Sequence, residues 1–163
     1  MHVDIRDAES SDIEAINDIY NFYVLNSTCT AQTEAEPIEG RKQWLLEHTG
    51  KYTALVAEWE GQVVAWGSLS KYHRRYAYWP TTEDSIYVRH DMLHKGIGKI
   101  ILEELIKKAR ENGFHSVMGI ISSEQLASIR LHGKFGFVEV GHLGEVILKF
   151  NRRLDVTIMQ LML

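Results

Sequence analysis

The chain is short of several things, and each shortage narrows what it does. Cys29 is the one cysteine in 163 residues. No disulfide can form within the chain, which fits a reducing compartment and a cytoplasmic location. There are two prolines and no low-complexity tract, so disorder is not expected beyond the ends. No apolar run approaches the roughly 18 residues that a membrane span needs, and the final run, 156–163, reads as a strand. The opening residues MHVDIRDAESSD are polar and acidic, unlike a signal peptide. An excess of positive charge is also missing. Lys plus Arg number 18 against 22 Asp plus Glu, a formal net charge of −4. That argues against general nucleic-acid binding while leaving room for a local basic pocket. The histidines are scattered without metal-ligand spacing, so no metal site is expected and most are placed on the surface.

What is present is an ordinary globular composition, 45% hydrophobic and 25% charged, in a length that suits one domain, 1–163. Alternation marks a strand at 3–6. Ser11 and Glu14 match a capping box, and Ile13, Ile16, Tyr20 and Tyr23 follow at helical spacing, predicting a helix over 11–24. A polar loop, 26–36, leads through Pro37 to a second helix at 38–48. Strands at 52–59 and 62–70 flank Glu60-Gly61, a hairpin signal. An aromatic and basic loop at 71–80 precedes a strand at 84–88. A helix at 96–112, a strand at 116–121 and a helix at 128–135 follow. Segments 137–140, 146–150 and 154–161 read as the last strands. The pattern is an α/β (α+β) domain with about four helices. Its mixed sheet begins antiparallel, and the crossover helix 96–112 makes its flanking strands parallel.

The most informative local feature is Ile86-Tyr87-Val88 followed by His94-Lys95-Gly96-Ile97-Gly98-Lys99. A strand runs into a basic, glycine-containing turn that opens a helix. Glycines let backbone approach a ligand closely, and free amides at a helix start attract phosphate. A pyrophosphate is the natural guest. The P-loop ending and the third glycine of a dinucleotide fingerprint are both absent.

This segment resembles the acetyl-CoA signature of GNAT acetyltransferases, Gln/Arg-x-x-Gly-x-Gly/Ala, with Leu93 at the first position. The likeness to the phosphinothricin and methionine sulfoximine acetyltransferase group runs almost the full length. It is carried by Ile5-Arg6, Ile19-Tyr20-Asn21, Tyr23-Val24, Thr33-Glu34, Arg75-Tyr76-Ala77-Tyr78, Ser85–Val88, Leu131-His132, Phe135-Gly136-Phe137 and Leu154-Asp155-Val156. The resemblance implies the GNAT fold, with a splayed parallel pair of strands, and transfer of an acetyl group from acetyl-CoA to a small amine. It places the catalytic base at Glu83, just before the central strand. It places a proton donor for the leaving thiolate at His132, where a histidine packed on the last helix is the alternative. It implies cofactor contacts at Ile86, Tyr87, Val88, the turn His94–Lys99, Gln125 and Lys134, with Gln125 standing where many relatives carry Asn. The Val88 amide is a candidate oxyanion donor. Arg75 and Tyr78 fall where relatives hold an amino-acid-like acceptor; a surface loop is the bland alternative. Relatives also tend to form homodimers. Another amine, such as a polyamine, peptide or aminoglycoside, and a non-catalytic acyl-CoA sensor remain alternatives. No membrane or nucleic-acid partner is expected.

Overall fold

The computed structural model describes residues 2–163. Seven strands and four α-helices follow one another along the described residues: β1 (Asp4–Asp7), α1 (Ile13–Asn26), α2 (Ile38–Glu47), β2 (Ala54–Trp59), β3 (Gln62–Lys71), β4 (Thr81–Val88), α3 (Ile97–Glu111), β5 (Ser116–Ser122), α4 (Leu126–Lys134), β6 (Val138–Lys149) and β7 (Arg152–Met162). They form one sheet in the order β1-β2-β3-β4-β5-β7-β6. Among the described residues only β4 and β5 pair in parallel, as the crossover through α3 demands. No helix among the described residues is long and apolar enough to cross a membrane.

The alternation of side chains along each strand divides the core between two faces. On one face α3 packs Ile97, Ile101 and Leu105 against Leu55, Ala57, Ala65, Leu69 and Val117, with Ile129 and Leu131 of α4 alongside. On the other, α1 sets Ile16 and Ile19 against Val56 and Trp66, with Tyr20, Trp44 and Tyr87 alongside. The odd-numbered side chains of β4 therefore face α1 and α2. The even-numbered ones face α3 and α4.

Three expectations need correction. The cap of the first helix is not built from Ser11 and Glu14. A 3-10 turn at Ser10–Asp12 precedes α1, and the Glu9 amide donates to Asp12 Oδ2 at 2.8 Å. Asp12 is in turn gripped by Arg6 through two bonds of 2.7 and 2.8 Å. Segments 137–140 and 146–150 are not separate strands. They belong to β6, whose ladder with β7 shifts register at Glu139/Gly141 and Leu143/Ile147. Gly141 and Gly144 look like breaks in a sequence, but the bulges absorb the extra residues without ending the strand. Finally, β4 begins at Thr81. The β-branched pair Thr81 and Thr82 joins β5 opposite Ser116 and Val117, so Glu83 lies inside the strand rather than ahead of it.

Candidate active site

The site grows from the way β4 and β5 part. They pair only at Thr81↔Ser116, Thr82↔Val117 and Glu83↔Met118. Both strands continue, to Val88 and Ser122, without a ladder between them. They open as a V with Glu83 at its apex. On the far side of β4 the antiparallel ladder with β3 has no register shift. The Arg89 amide donates to the Val64 carbonyl at 2.8 Å. Strict alternation from that bond turns the backbone groups of Tyr87, Ser85 and Glu83 toward β3, and those of Val88, Ile86 and Asp84 into the V. The Val88 carbonyl accepts from Tyr23 Oη at 2.5 Å. The Ile86 and Val88 amides have no facing strand. They form the kind of open edge that a chain of peptide-like amides can join.

The V leads to the start of α3. Gly96 caps the helix with φ 82°, a left-handed conformation in which a side chain would be strained. The first turn amides bound by the backbone are those of Lys99 and Ile100, at 3.1 and 3.3 Å from the Gly96 carbonyl. Those of Lys95, Gly96, Ile97 and Gly98 have no protein partner among the described residues. A row of free amides at the positive end of a helix is an anion site. His94 and Lys99 are exposed beside it. Lys95 bends back, its ammonium 3.3 Å from Met92 Sδ and over the Trp59 ring, so it offers the turn its amide rather than its charge.

Two adjacent carboxylates lie at the apex on opposite faces. Glu83 is half-buried and has no hydrogen-bond or ion-pair partner among the described residues. Burial, helped by the charge of Asp84, pushes its carboxyl up to about 7. A carboxylate poised near neutrality suits proton abstraction. Asp84 is buried on the α4 face, where His132 Nε2 lies 2.9 Å from its Oδ2. His132 Nδ1 donates to the Ser128 carbonyl at 2.8 Å. A carbonyl only accepts, so Nδ1 carries a hydrogen, and the Nε2 contact needs one more proton on either the ring or the carboxylate. Burial works against the imidazolium, but the Asp84 hydrogen bond and charge outweigh it, and the pKa of His132 is raised. Gly119 makes room for this pair. A Cβ there would meet His132 Cδ2 at 3.2 Å and Asp84 Oδ1 at 3.5 Å. Gly119 is also the first β5 residue beyond the β4 pairing, so the pair lies beside the opening of the V.

The remaining candidates are more dispersed. Gln125 sits ahead of α4 with its amide nitrogen 3.1 Å from Thr28 Oγ1. Lys134 is exposed at the end of α4. Arg75 and Tyr78 are exposed on the loop before β4, which folds into a 3-10 turn at Tyr76–Tyr78. That loop is braced by Tyr78 against His73 and by Lys51 over Trp79.

Sequence reasoning missed two things. Asp84 was not singled out, although a carboxylate in a buried alternation pattern calls for a partner. Arg41, on α2, was not singled out at all. It stands three residues before Trp44 on the inward stripe of that helix, and a cation on an apolar stripe was the available signal. It lines a cavity of ≈ 220 Å³ with Trp66, Ser68, Ser85 and Tyr87, on the Glu83 face of the sheet.

Comparison with known proteins agrees with this geometry. The family model described as the acetyltransferase (GNAT) family matches residues 16–137. The chain is 36% identical to an L-amino acid N-acyltransferase, MnaT, of Escherichia coli, over 98% of this chain and 93% of that protein. It is also 36% identical to an L-methionine sulfoximine/L-methionine sulfone acetyltransferase of Pseudomonas aeruginosa, over 99% and 95%. Among solved structures, yncA of Salmonella typhimurium, an acetyltransferase crystallised with acetyl-CoA, superposes with a TM-score of 0.95 at 34% identity, over 98% of this chain and 93% of that one. With a splayed β4–β5 pair, a free-amide turn at the start of α3 and these likenesses over nearly its whole length, the chain belongs to the GNAT family of acetyltransferases.

Proposed function

We propose that the protein transfers an acetyl group from acetyl-CoA to the primary amine of a small, amino-acid-like acceptor, with Glu83 as the base. The observation that carries this reading is the unpartnered, half-buried Glu83 carboxyl at the apex of the V, held at about 7. The residues present fit the co-substrate. The free amides of the turn 95–98 suit its pyrophosphate, and the open Ile86 amide suits its pantetheine arm, which leaves the Val88 amide for the thioester carbonyl. Acetyl-CoA supplies a thioester whose C–S bond breaks as the new C–N bond forms.

The chain's own groups manage the charges. Glu83 takes the proton that the ammonium must lose before its nitrogen can attack. The Val88 amide donates to the carbonyl oxygen as that oxygen gains charge. The sulfur leaves with the C–S electron pair and takes its proton from solvent, because both ring nitrogens of His132 are already engaged, by the Ser128 carbonyl and by Asp84. Gln125 and Lys134 belong to the rim of the cofactor site. Arg75 and Tyr78 hold the acceptor's α-carboxylate at the outer mouth, where a guanidinium makes two parallel hydrogen bonds. Phosphinothricin and methionine sulfoximine are the acceptors to try first, because the similar proteins include enzymes named for methionine sulfoximine.

We also propose that the protein works as a homodimer in the cytoplasm. Strand β6 is an edge strand that exposes Val138, Val140, Leu143, Val146 and Leu148. An apolar strand edge of this kind favours pairing with a second copy.

The test is CoA release from acetyl-CoA across a panel of amines, with Glu83→Gln alongside. Turnover on glutamate-like amines that collapses in the variant is the expected result. Turnover confined to polyamines or peptides would overturn the acceptor class. Tight acetyl-CoA binding without turnover on any amine would overturn the enzyme reading.

A further inference from the structure

Glu83 has a hydroxyl beside it that makes no bond to it. Ser70 of β3 is its direct cross-strand partner. Opposed residues of an antiparallel pair put their Cβ atoms about 5 Å apart on one face of the sheet. The Ser70 carbonyl accepts from Thr82 Oγ1 at 2.8 Å, which pins the residue near the end of β3. Its Oγ lies 2.8 Å from His48 Nε2. Ser70 also lines a cavity of ≈ 500 Å³ with Trp44, His48 and Tyr52, so a ligand can reach its oxygen.

His48 decides where the hydrogen of that hydroxyl goes. It follows the last turn of α2 and lies against Trp44, with ring centres 4.3 Å apart. Its Nδ1 is 2.7 Å from the Trp44 carbonyl. A carbonyl only accepts, so Nδ1 carries a hydrogen. Burial holds the ring below its ordinary pKa, outweighing the Trp44 bond and the charge of Glu47. The charges around the Ser70–Glu83 pair are Glu47 and Arg41 of α2, Lys71 of β3 and Asp84 of β4. From β5 comes the uncharged Met118, opposite Glu83. A neutral ring with its hydrogen on Nδ1 has only a lone pair on Nε2. The 2.8 Å contact is therefore a bond from the Ser70 hydroxyl to Nε2. A serine has one hydrogen to donate. With that hydrogen on His48, the Ser70 oxygen meets every other group as an acceptor.

Two consequences meet at Glu83. A carboxylate that received the Ser70 hydrogen would be stabilised in its charged form and would be a weaker base. Commitment to His48 prevents that bond. An ammonium group, in turn, brings several N–H groups that need acceptors. Glu83 and Ser70 supply two, side by side.

We propose that His48 makes Ser70 an acceptor-only hydroxyl, which leaves Glu83 unbonded as the base and takes a second N–H of the acceptor's amine. Ser70 then touches the substrate, and His48 is a positioning residue that acts through it. With one N–H held by Ser70 while Glu83 removes another, the nitrogen keeps its lone pair in a fixed direction. This rests on the transfer reaction proposed above, with Glu83 as its base.

The experiment follows the Glu83 carboxyl by NMR in protein isotopically labelled at its glutamate carboxyls, with the signal assigned through Glu83→Gln. Wild-type protein is compared with His48→Leu, Ser70→Ala, the double variant and His48→Gln, each shown to be folded by circular dichroism. The wild-type midpoint is expected near 7. In His48→Leu the Ser70 hydrogen is released to Glu83, and the midpoint should fall by about one pH unit. Ser70→Ala and the double variant have no such hydrogen and should not show the fall. His48→Gln keeps an acceptor for Ser70 and should titrate as the wild-type protein does. In the acetylation assay Ser70→Ala should raise KM for L-methionine sulfone about tenfold, the loss of one bond to a charged group, and Ser70→Thr should restore it. A midpoint unmoved in His48→Leu, or a fall that persists in the double variant, would overturn the arrangement and leave Glu83 as the base. A wild-type midpoint at the ordinary carboxylate value would overturn both. The expected shifts without acetylation of any amine would overturn the transfer reaction, and the amine contact with it.

Discussion

Glu83 and Asp84 are the same functional group on consecutive residues, and the fold gives them opposite lives. Glu83 faces α1 and α2, half-buried and without a partner, and its carboxyl rises to about 7. Asp84 faces α4, buried and bonded to His132 at 2.9 Å. One is left free to exchange a proton with a ligand; the other keeps its proton traffic within a buried pair. The alternation of strand side chains is enough to separate them. The lesson is that burial alone does not make a carboxylate reactive: burial without a partner does.

Breaking each member of the comparison should therefore have different consequences. The largest effect is expected on catalysis. Glu83→Gln should lower kcat/KM for the acceptor by about 10²–10⁴-fold, the usual contribution of a general base, and leave acetyl-CoA affinity intact. Asp84→Asn should act first on stability. It leaves His132 in a buried site without its carboxylate, and about 3 kcal/mol should be lost from the unfolding free energy, as read by denaturant titration. Next comes Gly119→Ala. Its methyl would press on His132 Cδ2 at 3.2 Å, and tight insertions of this size cost about 1 kcal/mol.

The subtlest effects concern pH. The His132 pKa is raised, so the stability its pair provides is fully present below the ordinary value of about 6.5 and is lost as pH rises through the raised one. In Asp84→Asn that part of the pH dependence should vanish. Glu83 is also raised, from 4.5 to about 7. Its contribution is complete below the ordinary value and is lost as pH climbs through 7. Glu83→Gln should therefore gain stability relative to the wild-type protein across that interval and hold the gain above it, as read from denaturant midpoints at several pH values.

Much of this was legible in the sequence, for identifiable reasons. Helical and alternating periods located nearly every element, and the Lys95–Lys99 turn announced itself through its glycines and the strand before it. The V was legible only through resemblance, because nothing in residues 81–88 says where a ladder stops. The start of β4 was missed because Thr81 and Thr82 follow Pro80 and an aromatic loop, and only the pairing with β5 makes them strand. His132 and Asp84 are 48 residues apart, and their meeting depends on Gly119, a third element. Arg41 was overlooked for a similar reason. A cation on a short helix reads as solvated until Tyr20, Trp44 and Trp66 arrive from three different elements to enclose it.

The decisive measurement is the pH dependence of kcat/KM for an amino-acid acceptor at saturating acetyl-CoA, in the wild-type protein and in Glu83→Gln. An ionised, unpartnered Glu83 predicts a rising limb with its midpoint near 7 in the wild-type protein and none in the variant. The same limb in both proteins, or a wild-type rate that is flat through neutral pH, would contradict the assignment of Glu83 as the base.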